Sequence, residues 1–108
     1  MEEIVNPLNQ FPINLAEELV ADNAFGYLLR GTSRLAEGNR ENGLADLEKA
    51  KQLDPQDGRI CMTLGTAYQQ SDPIRSYSEY EQAAELFSDK QDNFMTAAAQ
   101  RAAKRMRA

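Results

Sequence analysis

The chain is expected to be all-α, a short α-solenoid of five to six helices paired as antiparallel helical hairpins. Three observations predict this. Gly31 and Gly65 stand 34 residues apart in matching surroundings, Tyr27-x2-Arg30-Gly31-x2-Arg34 and Cys61-x2-Leu64-Gly65-x2-Tyr68. Self-similarity at such a period marks stacked helical repeats. Apolar residues recur at the i, i+3, i+4, i+7 spacing of one helix face, and no segment alternates convincingly as a strand would. The breaks between periodic segments are only a few residues long, which makes neighbouring helices antiparallel.

Each element has its own local signal. Pro7 and Pro12 disfavour helix in the residues before them, so residues 1–13 read as an extended arm with Ile4, Val5, Leu8, Phe11 and Ile13 as its apolar surface. Asn14 and Glu17 form a capping-box-like pair opening an N-terminal helix over residues 14–23, with Leu15 and Leu19 buried. Asn23 opens the next helix, whose Ala24, Tyr27, Leu28, Gly31 and Leu35 share one face, and Gly38-Asn39 is a left-handed stop. A partner helix from about Glu41 to Leu53 buries Leu44, Leu47 and Ala50 and ends at Asp54-Pro55. The cycle repeats over about Arg59–Gln69, with Cys61, Leu64, Gly65 and Tyr68 inward. Ser71-Asp72-Pro73 supplies a cap followed by proline at the first helical position. The helix that follows is expected to bury Ile74, Tyr77, Tyr80, Ala84 and Phe87. A last helix starts near Asn93, with Phe94, Ala98, Ala102 and Met106 as its stripe.

These residues resemble the tetratricopeptide repeat (TPR) family. Residues 24–57 look like one complete repeat: Tyr27 matches the large aromatic, Gly31 and Ala50 the small contact residues, Gly38-Asn39 the turn and Leu53-Asp54-Pro55 the terminating motif. The departures are Arg30, Arg34 and Gly43, where leucine, tyrosine and alanine are usual. Residues 58–90 resemble a second, less regular repeat, in which Tyr80, Ala83 and Leu86 answer Leu47, Ala50 and Leu53 at a spacing of 33. Residues 91–108 are similar to a lone first helix of a third repeat, a capping helix. A glycine inside a helix costs about 1 kcal/mol relative to alanine, and Gly31 and Gly65 make sense where they let a neighbouring helix come close.

The resemblance implies a non-catalytic protein-binding role: an adaptor, assembly factor or subunit of a larger complex, holding a peptide or helix of another protein in a concave groove. That groove would present Phe25, Leu28, Thr32 and Leu35 from the first repeat and Arg59, Met62, Thr66 and Gln69 from the second. The lysine and asparagine set with which some family members grip a terminal carboxylate is missing, since Leu28 and Thr32 occupy the matching places. Small acidic repeat proteins also resemble chaperones for secretion or membrane-complex subunits, and exposed ends could make a homo-oligomer.

Composition bounds the alternatives. An apolar share of 42% in 108 residues supports one packed domain. No run approaches the ~20 apolar residues that span a bilayer, so no membrane insertion is expected. The acidic start lacks a secretory pattern and the lone Cys61 fits a reducing compartment, so a cytoplasmic protein is expected. With no histidine and one cysteine, histidine- and cysteine-based zinc sites and histidine-dependent triads are unavailable; no metal, cofactor or enzymatic activity is expected. Gly26–Ser33 imitates a phosphate loop but lacks its lysine. The net charge is −5, yet Arg101, Lys104, Arg105 and Arg107 make residues 93–108 basic with no acid among them. These cations oppose a helix dipole and are candidates for electrostatic contact with an acidic partner. Four charges on an acidic protein make nucleic acid an unlikely partner.

Overall fold

The computed structural model describes residues 23–107 as five α-helices, with no strand among them. They are α1 (Ala24–Ala36), α2 (Arg40–Leu53), α3 (Gly58–Tyr68), α4 (Pro73–Asp89) and α5 (Asn93–Arg107). The arm expected at 1–13 and all but the last residue of the helix expected at 14–23 lie outside the described residues; Asn23 is the cap of α1.

The helix ends follow side-chain chemistry at the capping positions. Asn23 accepts from the Gly26 amide at 3.2 Å, Asp57 from Arg59 at 2.9 Å, Asp72 from Arg75 at 3.1 Å and Asp92 from Met95 at 3.0 Å. Each thereby satisfies an amide that the helix itself leaves open. At the end of α1, Gly38 takes φ +86° while its amide bonds Leu35 O and that of Asn39 bonds Arg34 O. This pairing is the Schellman stop, which needs a left-handed residue. The end of α4 repeats it with Gln91 at φ 60°, Gln91 N to Ser88 O and Asp92 N to Phe87 O.

Each helix packs mainly on its neighbours in sequence. Contacts along α1 and α2 run in opposite order, since Gly43 meets Leu35 while Leu47 lies nearer Gly31, so the two are antiparallel. In α3 and α4 Gly65 meets Tyr80 and Gly58 meets Phe87, with the same consequence. The glycines act where the sequence placed them. A Cβ on Gly31 would stand 2.9 Å from Gly43 O, and one on Gly65 would stand 2.7 Å from the Tyr80 ring. The missing side chain is what lets each pair close.

The buried hydrophobic residues gather in three clusters. Leu28, Leu47, Ala50, Ile60 and Leu64 form the first. Cys61, Ala83, Phe87 and Ala99 form the next, and Tyr80, Ala102 and Ala103 the last. Burial raises the Cys61 thiol to about 11, with Glu79 adding to the shift, so it stays protonated and acts as a small hydrophobe.

Two expected core positions are corrected. Ile74 is 83% exposed and Phe94 76% exposed. Both sit in the first turn of a helix, beyond the reach of the neighbour that covers the later turns. Their places in the buried stripes go to Ser76, Glu79, Ala83 and Leu86 on α4 and to Ala99 and Ala103 on α5.

Arg30, Arg34 and Gly43 act together. Buried Asp46 accepts both Arg30 Nε and Arg30 Nη2 at 2.9 Å, and Arg34 Nη1 at 2.9 Å. Gly43, one turn before Asp46, lets α1 approach closely enough for that ion cluster to form. Glu79, 33 residues on, is the second buried acid: Lys51 Nζ lies 2.9 Å and Arg75 Nε 2.8 Å from its carboxylate. A buried charge persists when it is paired and hydrogen-bonded, as both of these are.

Candidate functional site

The capping residues set a common register for α1, α3 and α5, because Asn23, Asp57 and Asp92 each precede the first helical residue. Counted from these caps, Ile60, Leu64, Ala67 and Tyr68 of α3 match Met95, Ala99, Ala102 and Ala103 of α5, and all are buried or half-buried. The adjacent helical row is the outward one. It carries Arg59, Thr63 and Thr66 on α3 with Gln70 in the turn just past it, and Phe94, Ala98, Arg101 and Arg105 on α5. On α1 the same count gives Phe25, Leu29, Thr32 and Ala36. None of these side chains is buried, and none is a carboxylate.

Between α1 and α3 the surface sinks into an open groove of about 570 Å³. Thr32 and Leu35 form one wall, Thr63, Thr66, Gln69 and Gln70 the other, and Arg40 lies at one end, bonded to Ser71 Oγ. The hydroxyls here are largely committed: Thr32 donates to Leu28 O, Thr63 to Arg59 O and Thr66 to Met62 O. Gln69 Nε2 donates to Tyr80 Oη at 2.9 Å, and Thr66 Oγ1 lies 2.9 Å from that oxygen. With Thr66 donating to Met62, the phenol is the donor to Thr66, so buried Tyr80 has both hydrogen-bonding functions engaged. The groove therefore presents methyl groups and hydroxyl lone pairs beside the amide ends of Gln69 and Gln70.

At the opposite end of α3, Arg59 is held twice. Its guanidinium stacks 5.3 Å from the Phe25 ring centroid and bonds Asp57 through Nε at 3.0 Å and Nη2 at 2.6 Å. The Arg59 hydrogen bond, ahead of the opposing effect of burial, holds the Asp57 carboxyl below its ordinary value of 3.8. Phe25 and Arg59 thus form one fixed amphipathic plate, with Phe25 48% exposed.

The structure brings Thr32, Leu35, Thr66 and Gln69 together in the groove and places Phe25 and Arg59 on the outward row beyond it. Leu28 does not belong to this surface. It is 7% exposed and packs with Leu47, Ala50, Ile60 and Leu64. Met62 is half-buried against the clusters containing Ala99, Ala102 and Ala103, where it joins α3 to α5. The expected groove residues do not include Leu29, 55% exposed on the outward row, or Thr63, which lines the groove. The two are 34 residues apart, the same interval as Asn23 to Asp57 and Gly31 to Gly65, so either count makes them equivalent. The four terminal cations separate by row: Arg101 and Arg105 share Phe94's row, while Lys104 shares the row of Gln100, which borders α4. Arg107 is exposed at the end of α5.

Comparison with family models, with curated proteins and with solved structures finds no match. What this face can do follows from its own chemistry. Among the described residues no group of three or more histidines, cysteines, aspartates or glutamates is placed to hold a metal ion, and no helix is long and apolar enough to cross a membrane.

Proposed function

We propose that this chain is a non-catalytic protein-binding module, a pair of TPR-like hairpins capped by α5, that holds a peptide or helix of another protein along the outward rows of α1 and α3. The observation that carries the reading is the exposure of large apolar side chains at equivalent helix positions. Of the five large hydrophobics that stand exposed among the described residues, Phe25, Leu29 and Phe94 fall on the register-matched row of α1 and α5, while Leu53 and Ile74 lie elsewhere. Folding spends its apolar surface inside, so exposed large side chains gathered on one face suit a partner better than they suit water. A short α-solenoid would account for the arrangement, since first helices of successive hairpins in stacked repeats present equivalent rows to one side. Thr32, Leu35, Thr66 and Gln69 would supply the polar and methyl contacts that fix a ligand's register.

Affinity capture from the native cell tests it, with wild-type protein compared against Phe25→Ser/Leu29→Asp. The variant alters exposed positions, whereas Leu28→Asp would drive a carboxylate into the core. Specific loss of a defined protein from the variant, at unchanged circular dichroism, is the expected result. A variant that retains every captured protein would overturn the proposal.

A further inference from the structure

We infer that the binding face extends onto α5 and selects an acidic peptide segment carrying a large apolar side chain. This rests on the preceding reading of the face and adds the ligand's chemistry. The chain has 17 acidic residues and a net charge of −5, yet the outward rows of α1, α3 and α5 hold no carboxylate and three arginines. Arg59 is already committed to Asp57 and Phe25. Arg101 and Arg105 are exposed and make no ion pair among the described residues.

Those two arginines lie one turn apart on the row headed by Phe94, which is 76% exposed, with half-buried Ala98 between. Small Ala98 lets a ligand backbone come close, Phe94 offers a flat apolar contact, and the guanidiniums offer forked donors to carboxylates. Met62 of α3 packs against the clusters that include Ala99, Ala102 and Ala103 of α5. An acidic stretch beside α5 that continues as an apolar side chain toward Phe25 and Leu29 matches the order of chemistry across the three helices. Nucleic acid fits less well, because two free cations on an acidic body neutralise few phosphates.

Peptide selection on the intact chain tests the assignment. Random dodecapeptides are panned against wild type, and the leading peptide's Kd is then measured by fluorescence anisotropy at low and high salt. Enrichment of Asp and Glu next to Phe or Leu is expected, with affinity falling as salt rises. Arg101→Glu/Arg105→Glu should weaken binding by about tenfold or more, whereas Lys104→Glu, on the other row, should change it by less than about twofold. Peptides enriched without acidic bias, or bound equally well after the arginine reversal, overturn the acidic assignment. If Leu29→Asp still abolishes that binding, the face itself stands. No enrichment at all removes both proposals. A labelled single-stranded oligonucleotide that binds more tightly than the acidic peptide overturns the inference in favour of nucleic acid.

Discussion

The two hairpins solve one packing problem in different ways. In α1–α2, backbone meets backbone, with Gly31 against Gly43 and the carbonyl of each 2.9 Å from where the other's Cβ would sit. In α3–α4 the place of Gly43 is taken by Ser76, whose buried hydroxyl donates to Gly65 O at 2.6 Å, and the Tyr80 ring covers Gly65. The buried acids differ in the same spirit. Asp46 is held by Arg30 and Arg34 of its own hairpin, whereas Glu79 is held by Arg75 of its own helix and by Lys51 of the preceding hairpin. Arg75 also reaches Glu48 at 2.8 Å and stacks on Tyr68, whose hydroxyl donates to Glu48. One equivalent position therefore closes a hairpin in the first case and joins two hairpins in the second.

Removing the acids breaks that comparison most severely. Glu79→Ala leaves Lys51 and Arg75 without their shared anion and should cost about 3 kcal/mol, the low end for a broken buried pair because both cations can reach water. Asp46→Ala should cost about as much. The two differ in cooperativity: urea unfolding followed by circular dichroism should stay a single sharp transition for Asp46→Ala and broaden for Glu79→Ala, which loses a tie between hairpins. Equal sharpness in both would remove the proposed division of labour.

Filling the glycines comes next. Gly31→Ala and Gly65→Ala should each destabilise by about 1–3 kcal/mol, since overpacking outweighs the propensity gain of about 1 kcal/mol. Gly31→Ala should be the worse, because it meets a helix carbonyl while Gly65→Ala meets a ring that can tilt. Thermal melts of the two variants decide the order.

The caps give a smaller contrast. Asn23→Ala and Asp57→Ala should each cost about 1 kcal/mol, with Asp57 the larger through its bond to Arg59. Because the folded Asp57 carboxyl lies below 3.8, its contribution is complete above that pH and is lost as acid carries the solution through the lower folded value. The difference between the two variants should therefore shrink in strong acid, as melts across that range would show. The smallest effect is favourable. Gln91→Gly relieves a left-handed non-glycine at the α4 stop and should stabilise by about 1 kcal/mol, measured by urea unfolding.

The helix boundaries were legible residue by residue. Asn23, Gly38, Asp54-Pro55 and Asp72-Pro73 act within one turn, so their chemistry operates wherever the chain later packs; the caps Asp57 and Asp92 are the same kind of signal but are not among the starts read from the sequence. The spacing of Gly31 and Gly65 likewise announced close approach. The face was less legible. Periodicity puts Leu28 on the apolar face with Ala24, Tyr27, Gly31 and Leu35, while the family resemblance puts it in the groove; the structure agrees with the periodicity, and Leu29, about 100° further round the helix, is the exposed one.

Sequence by itself determined where five helices start and stop and which small residues permit their contact, because capping and turn chemistry are local. Only tertiary structure decided that Leu28 belongs to the core and not to the groove, that Ile74 and Phe94 stay exposed, and that Asp46 and Glu79 are buried. The physical reason is that burial depends on the neighbour's reach, and a buried carboxylate depends on cations brought from distant turns of the chain.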